Sequence, residues 1–241
     1  MFGISFCVTT DGNNKDTVDR LITNIKSLSV HNYEIIIVGG EHPTFEITDT
    51  IKHVPFNETE KPRWITRKKN LAVENSKYDI CVIVHDYIIF EQNWYEEFLK
   101  FGFDWDTCVH QCLSTNGVRT DGWRVHSYPG LPKYCMIPYD ISELVPFMAI
   151  QGNYIVIKRG HYLKYPLSEL MVNRDPEEME WSARIISKSW VKCNPNCIVY
   201  YGKVTNDDGW LWHLTQMSNY SWFFDQLRAA RIEHWKTNEN L

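Results

Sequence analysis

Long apolar runs are missing from this 241-residue chain. None approaches the ~20 residues that span a bilayer as a helix, so a soluble or peripheral protein without a transmembrane segment is predicted. No signal peptide precedes Ile4, and seven cysteines cannot all pair. Both features point to a reducing compartment, the cytoplasm, rather than to a secreted disulfide framework. Zinc-type spacings are lacking too: Cys193 and Cys197 enclose two Asn and a Pro, and Cys108 and Cys112 flank His110, which reads as buried thiols. Positive charge is in short supply. With 25 Lys and Arg against 30 Asp and Glu, the net charge of -5 excludes general nucleic-acid affinity and requires any anionic ligand to be met by local cations. Glycine is scarce where a dinucleotide needs it: the first polar loop, Thr9 to Asn14, holds only Gly12 in place of GxGxxG, which argues against an oxidoreductase. Repeats and low-complexity linkers are absent, so residues 1–241 are expected to form one large domain.

What is present is organised around Asp79 to Trp94, DICVIVHDYIIFEQNW. Ile80 to Val84 is an unbroken, largely β-branched run, the pattern of a central strand buried on both faces of a sheet. It stops at His85, Asp86 and Tyr87. Open α/β sheets bind ligands in the crevice beyond their strand ends, which makes Asp86 the first candidate for chemistry. Asn93 followed by Glu96 predicts a capping box that opens a helix with Trp94 and Phe98 on one face. The aromatic share of 14% suits either flat carbohydrate and nucleotide contacts or an aromatic-rich core.

Upstream, Gly3 to Val8 reads as a strand, Val18, Leu21, Ile22, Ile25 and Leu28 recur at helical spacing, and Glu34 to Val38 is a second strand ending in Gly39-Gly40-Glu41-His42. This is a βαβ unit whose parallel strands bring polar loops to one rim. Ile51 to Val54 is a third strand, and Trp64 to Asn70 opens a helix that ends near Ser76 and delivers the chain into the central strand. Arg67, Lys68 and Lys69 oppose the macrodipole in that helix's first turn, as a solvated basic face or as a phosphate-binding cluster. Cys108 to Leu113 reads as a strand and Gly117 to Pro138 as a long irregular loop. Tyr154 to Ile157 is a strand entered through Gln151-Gly152-Asn153, where the glycine marks either a bulge or a close approach of ligand. Two short strands near Val191 and at Ile198 to Tyr201, then a helix from Met217 to Arg231, complete an α/β pattern.

The second candidate is Asn173 to Trp181. Asp175 as N-cap, Pro176 at the first helical position and Glu178 closing a capping box describe ordinary helix initiation, with Met179, Ala183 and Ile186 as the buried stripe. A carboxylate held rigidly at a helix start can also serve as a base.

Together these motifs resemble a glycosyltransferase of the GT-A fold, close to the family 2 type and its small viral or bacterial members, over about residues 3–215. Thr9-Thr10-Asp11 resembles the loop that holds the nucleotide base. Lys69-Asn70 stands where these enzymes have Arg-Asn, before the strand that ends in the metal-binding DxD motif. Glu177-Glu178 with Met179-Glu180-Trp181 resembles Glu-Asp-x-Glu-Trp, whose second acid is the usual base of inverting enzymes, and His213 resembles the late histidine of the metal site. The departure is at DxD, whose two acids would fall at His85 and Tyr87, with Asp86 between them.

The resemblance implies a three-layer α/β/α sandwich with a mostly parallel central sheet: a Rossmann-like, nucleotide-sugar-binding half over about 1–100, an acceptor half over about 101–215 and a C-terminal helix over 216–241. It implies transfer from a nucleotide sugar, a UDP-sugar, to a glycan or other hydroxyl acceptor, with Glu178 as base beside Glu177. The nucleotide sugar would meet Thr9, Thr10, Asp11, Glu41, Arg67, Lys68, Lys69, Asn70, His85, Asp86 and Tyr87, and Gly152, Asn153 and Trp181 would border donor sugar and acceptor. Mn2+ or Mg2+ would be held by Asp86 and His213. Two other readings stay open. A sugar-1-phosphate nucleotidyltransferase usually carries a Gly-rich phosphate loop, and a non-catalytic glycan- or nucleotide-sugar-binding protein would explain the missing second acid.

Overall fold

The computed structural model describes residues 2–61, 63–122, 124–126, 134–136, 148–172, 175–185 and 188–202. The chain begins with β1 (Ile4–Thr9), α1 (Lys15–Ser27), β2 (Tyr33–Val38) and β3 (Ile51–Val54), and these strands pair parallel in the order β1-β2-β3, as the βαβ pattern requires. α2 (Ile65–Glu74) then leads into β4 (Ile80–His85), which pairs parallel with the other side of β1. Thr9 lies level with Val38 on one neighbour and His85 on the other, so three strand ends share one rim.

Next come β5 (Ile88–Phe90), α3 (Trp94–Phe101), β6 (Thr107–Ser114), β7 (Arg119–Asp121), β8 (Arg124–His126), β9 (Tyr134–Met136) and β10 (Met148–Ala149). The last described elements are β11 (Tyr154–Lys158), α4 (Arg159–Lys164), α5 (Glu177–Ile185) and β12 (Val191–Tyr201). The main sheet has the order β3-β2-β1-β4-β11-β6-β12-β5, with β7 on β6, while β10, β8 and β9 form a small antiparallel sheet. β6 and β12 run with β4; β11, β5 and β7 run against it.

Only Asp86 and Tyr87 separate β4 from β5, yet β5 pairs with β12 at the far edge. In a flat sheet four strand spacings of ~4.8 Å would place them roughly 19 Å apart. Three residues reach at most about 11 Å. The strands from β4 to β5 therefore curl until their edges meet at the Asp86-Tyr87 turn.

Alternating residues of the central strands feed two cores. Phe6, Val8, Ile35, Ile37, Val82 and Val84 pack against Leu21 and Ile25 of α1 and Trp94 and Phe98 of α3. Cys7, Ile36, Cys81, Ile83 and Ile155 pack against Ala72 and Val73 of α2, Tyr162 of α4 and Trp181 and Ile185 of α5. Both faces are covered, which is why the strands read as continuous apolar runs, and each large apolar side chain so buried contributes about 1.5–3 kcal/mol.

Several local expectations change. Val191 and Ile198 to Tyr201 belong to one strand, with a register shift between Asn194 and Ile198. Pro195 falls within that irregularity, where its missing N–H breaks no ladder bond. The loop from Gly117 contains β7, β8 and β9. Asn93 caps α3 without a side-chain bond, and Glu96 pairs with Lys100 at 2.8 Å instead of closing a capping box. α5 buries Trp181, Ser182 and Ile185 rather than Met179 and Ala183, because the Trp181 indole donates to Tyr165 O at 2.7 Å and the Ser182 hydroxyl accepts from Ile150 N–H at 3.0 Å. Ile186 and the helix expected from Met217 lie outside the described residues.

Cys7, Cys81, Cys108, Cys112, Cys193 and Cys197 are free and buried. Burial raises the Cys108 thiol and pushes Cys193 up to about 12, and it holds His110 neutral by drawing its pKa down to about 3. Thiolates are thus disfavoured at Cys108 and Cys193, and no group of three metal-capable side chains gathers among the described residues. Nor, among them, is any helix long and apolar enough to cross a membrane.

Gly39 supports the rim from behind. Its φ is 143°, and a Cβ there would stand 2.0 Å from Thr10 O, a backbone atom that cannot swing aside. Gly39→Ala is expected to cost at least about 1–3 kcal/mol, read as a lowered melting temperature in thermal denaturation.

Candidate active site

Beyond the C-terminal ends of β1 and β4 lies a cleft of ≈ 510 Å³, lined by Thr9, Thr10, Asp11, Asn14, Thr17, Glu58, Arg63, Ile65, Lys68, His85, Asp86 and Tyr87. The two strand ends are stitched together across its floor. The Thr10 hydroxyl donates to Asp86 Oδ2 at 2.8 Å, Asp86 N–H donates to Thr9 O at 3.2 Å, and Gly12 N–H donates to Thr10 Oγ1 at 3.2 Å. Asn14 caps α1, accepting from Thr17 N–H at 3.3 Å, so the start of that helix forms one wall. The Tyr87 ring lies 5.2 Å from both the His85 and the Tyr201 rings. A larger cavity of ≈ 620 Å³, lined by Phe2, Asp79, Phe103, Lys158 and His161 among others, opens near the start of β4. It lies at the wrong end of the strands for an open α/β sheet and holds none of the candidate residues, so the smaller cleft is the candidate site.

A second cluster adjoins it. The Lys69 ammonium donates to Gly152 O at 2.8 Å and Glu177 Oε1 at 3.0 Å. A Cβ at Gly152 would lie 3.3 Å from Glu177 Oε1 and 3.4 Å from Glu178 Oε2, so both acids of the first turn of α5 press against this residue. Asn153 O accepts from His85 N–H at 3.1 Å. One short segment, Gly152-Asn153, therefore joins the Asp86 rim to the Glu177-Glu178 pair. The Gln151 and Asn153 amides are buried beside it and have no hydrogen-bond partner among the described residues.

The basic cluster is neither a solvated face nor a free set of cations. Successive helical residues point about 100° apart, and each of the three meets a carboxylate. Arg67 pairs with Glu169 at 2.9 Å and Glu74 at 3.1 Å, Lys68 donates to both Glu58 oxygens at 3.0 Å and to Thr10 O at 2.8 Å, and Lys69 pairs with Glu177. Only Lys68 of the three lines the cleft.

Other expected contacts are relocated as well. Asn70 is buried, accepting from the Tyr162 hydroxyl at 2.8 Å and donating to Leu167 O and Glu169, so it fixes the loop before α5. Trp181 is a core residue with no exposed surface, and Glu41 is exposed and outside the cleft lining. The Asp175 carboxylate accepts from Val172 N–H at 2.8 Å, which steadies the turn before α5 instead of capping the helix. His213 lies outside the described residues; the chain reaches Gly202 with its N–H donating to Tyr87 O at 2.8 Å, on the same rim. Glu58, Arg63 and Thr17 were not anticipated, since they come from polar segments without periodic signal.

No protein-family model and no curated protein sequence matches the chain. Solved structures do match in shape. S. aureus TarS residues 1–349 in complex with UDP gives a TM-score of 0.58 at 9% identity, over 83% of this chain and 60% of that one. GalNAc-T7 with UDP, GalNAc and Mn2+ gives 0.59 at 13% identity, over 83% of this chain and 44% of that one. The chain thus spans less than two thirds of either neighbour. At these identities the likeness is one of fold: mixed α/β with a curled, mostly parallel sheet, the GT-A type.

Proposed function

We propose that this GT-A fold serves an inverting glycosyltransferase of the family 2 type, which moves a sugar from a UDP-sugar to a hydroxyl of a glycan or other acceptor. The observation that carries the reading is the single segment Gly152-Asn153, which ties a cleft holding Asp86 to a pair of acids on α5. A donor lying in that cleft has its sugar delivered to those acids. That both structural neighbours were solved with UDP supports the choice of nucleotide.

The residues divide the work. Thr9, Thr10 and Asp11 take the base and ribose, with residues of about 1–100 forming the nucleotide half and about 101–215 the acceptor half. The acceptor oxygen attacks the anomeric carbon as the bond to the departing diphosphate breaks, and Glu178 receives the acceptor proton. The Lys69–Glu177 pair holds Gly152 and α5 in place while this happens. A divalent ion suits Asp86 in the cleft, since Mg2+ or Mn2+ accepts one or two carboxylates and completes its shell with phosphate oxygens and water. Asp86 and His213 would hold it, and it would supply Lewis-acid stabilisation of the diphosphate. The buried, free cysteines suit a reducing, cytoplasmic setting.

The test is a thermal-shift screen of nucleotide sugars with and without Mn2+. At a hundredfold excess over Kd, binding stabilises by about 2.7 kcal/mol, and at ~2–4 °C per kcal/mol for a chain of this size UDP-sugars are expected to raise the melting temperature by roughly 5–10 °C. Asp86→Ala is expected to fold and to lose most of that shift. A flat response to every nucleotide sugar would overturn the reading.

A further inference from the structure

Arg63 stands apart from the other cations of this region. Lys68, Arg67 and Lys69 each have carboxylate partners, whereas Arg63 lines the cleft and, among the described residues, has no acidic partner. Its backbone has φ 54°, the left-handed region that costs an L side chain and suits glycine. Ile65 N–H donates to Arg63 O at 2.7 Å, which fixes this turn at the start of α2. The helix itself follows Trp64 without a side-chain cap; Arg63 O takes the Ile65 N–H, and the next N–H groups of the first turn have no intrahelical acceptor beside Ile65, another lining residue. The same cleft contains the carboxylates of Asp11, Glu58 and Asp86. An anion can enter such a space only against a cation that is not already neutralised.

We propose that Arg63, with the uncapped start of α2, receives the diphosphate of the bound nucleotide sugar. The inference rests on the nucleotide-sugar reading above and adds to it the residue that recognises the leaving group. A guanidinium presents a planar fork that matches two phosphate oxygens, and the helix start contributes a partial positive charge in the same direction. The side chain is exposed where it lines the cleft, so an entering phosphate can reach it without displacing another group.

Calorimetric titration of the full chain with UDP, with uridine and with inorganic pyrophosphate tests this. Arg63→Gly is the informative variant, because glycine adopts φ 54° without strain and the fold is expected to melt at the same temperature or higher. UDP affinity is expected to fall about 10- to 100-fold, pyrophosphate affinity to fall with it, and uridine affinity to stay unchanged. Arg63→Lys, which keeps the charge and loses the fork, is expected to fall between. UDP affinity unchanged in Arg63→Gly overturns the inference alone. So does an equal loss for uridine and UDP, which would assign Arg63 to the nucleoside or to cleft shape. A wild-type protein that binds neither UDP nor any nucleotide sugar overturns the functional reading as well.

Discussion

Glu178→Gln is expected to melt within a few degrees of the parent protein, to bind donor as tightly, and to transfer sugar at least about a hundredfold more slowly. The bland and the chemical roles of this residue separate here. A side chain that only helps to start α5 keeps most of its hydrogen bonding as an amide, and the rate would hardly change. A base must take a proton, which an amide cannot do, and losing it typically costs ~10²- to 10⁴-fold. The position of Glu178 favours the second role: it stands in the first turn of α5 with Oε2 3.4 Å from where a Cβ on Gly152 would be, at the segment that reaches the Asp86 rim. The measurement is kcat and kcat/KM for transfer across pH, alongside donor affinity by calorimetry. Normal turnover by the folded variant would remove Glu178 from the chemistry and inversion with it.

Its neighbour is expected to behave differently. Glu177→Gln leaves the Lys69 ammonium fully buried without its counter-charge, and breaking a buried pair in this way typically costs ~3–5 kcal/mol. At ~2–4 °C per kcal/mol the melting temperature should fall by roughly 6–20 °C. Lys69→Met keeps the packed stem and leaves behind a carboxylate with 16% of its side chain exposed, so water relieves part of the penalty and the loss is expected to be smaller. The double variant Lys69→Met with Glu177→Gln carries no orphaned charge and is expected to recover most of the stability. Simply additive losses would mean that the 3.0 Å contact does not couple the two residues. Glu177 thus holds the start of α5 through Lys69.

The parts of the fold that were legible in sequence are those where burial repeats. β1, β2 and β4 are covered on both faces, and their unbroken apolar runs announce it. Asp86 was legible because a polar residue at the end of such a strand must face the rim. The destination of each basic residue was not. Helical spacing says that Arg67, Lys68 and Lys69 diverge, but their partners Glu169, Glu58 and Glu177 come from a loop, another loop and a distant helix, and no local pattern names them. Trp181 misled because an aromatic beside two acids suits a sugar platform equally well, and only the bond of its indole to Tyr165 O shows it turned inward. Arg63 escaped notice because a left-handed backbone at a non-glycine residue has no signature in the residue itself.

Ile88 gains its strand partner only when Tyr201 arrives. During synthesis β1, β2 and β4 can assemble with α1 and α2 once His85 has emerged, whereas the pairing of β5 with β12 must close a loop containing most of the middle of the chain, and such contacts form late. Asp86 is tied early, through Thr9 O and the Thr10 hydroxyl, whereas Tyr87, whose carbonyl accepts from Gly202 N–H, settles late. Until then Ile88, Ile89 and Phe90 are held to α1 by Asn24, which bonds both the N–H and the carbonyl of Phe90, but they lack a strand partner, and such an edge draws nascent chains into aggregates. A ribosome that stalls before Val191 would release a chain with an ordered amino-terminal sheet and, beside its cleft, an exposed β5 edge.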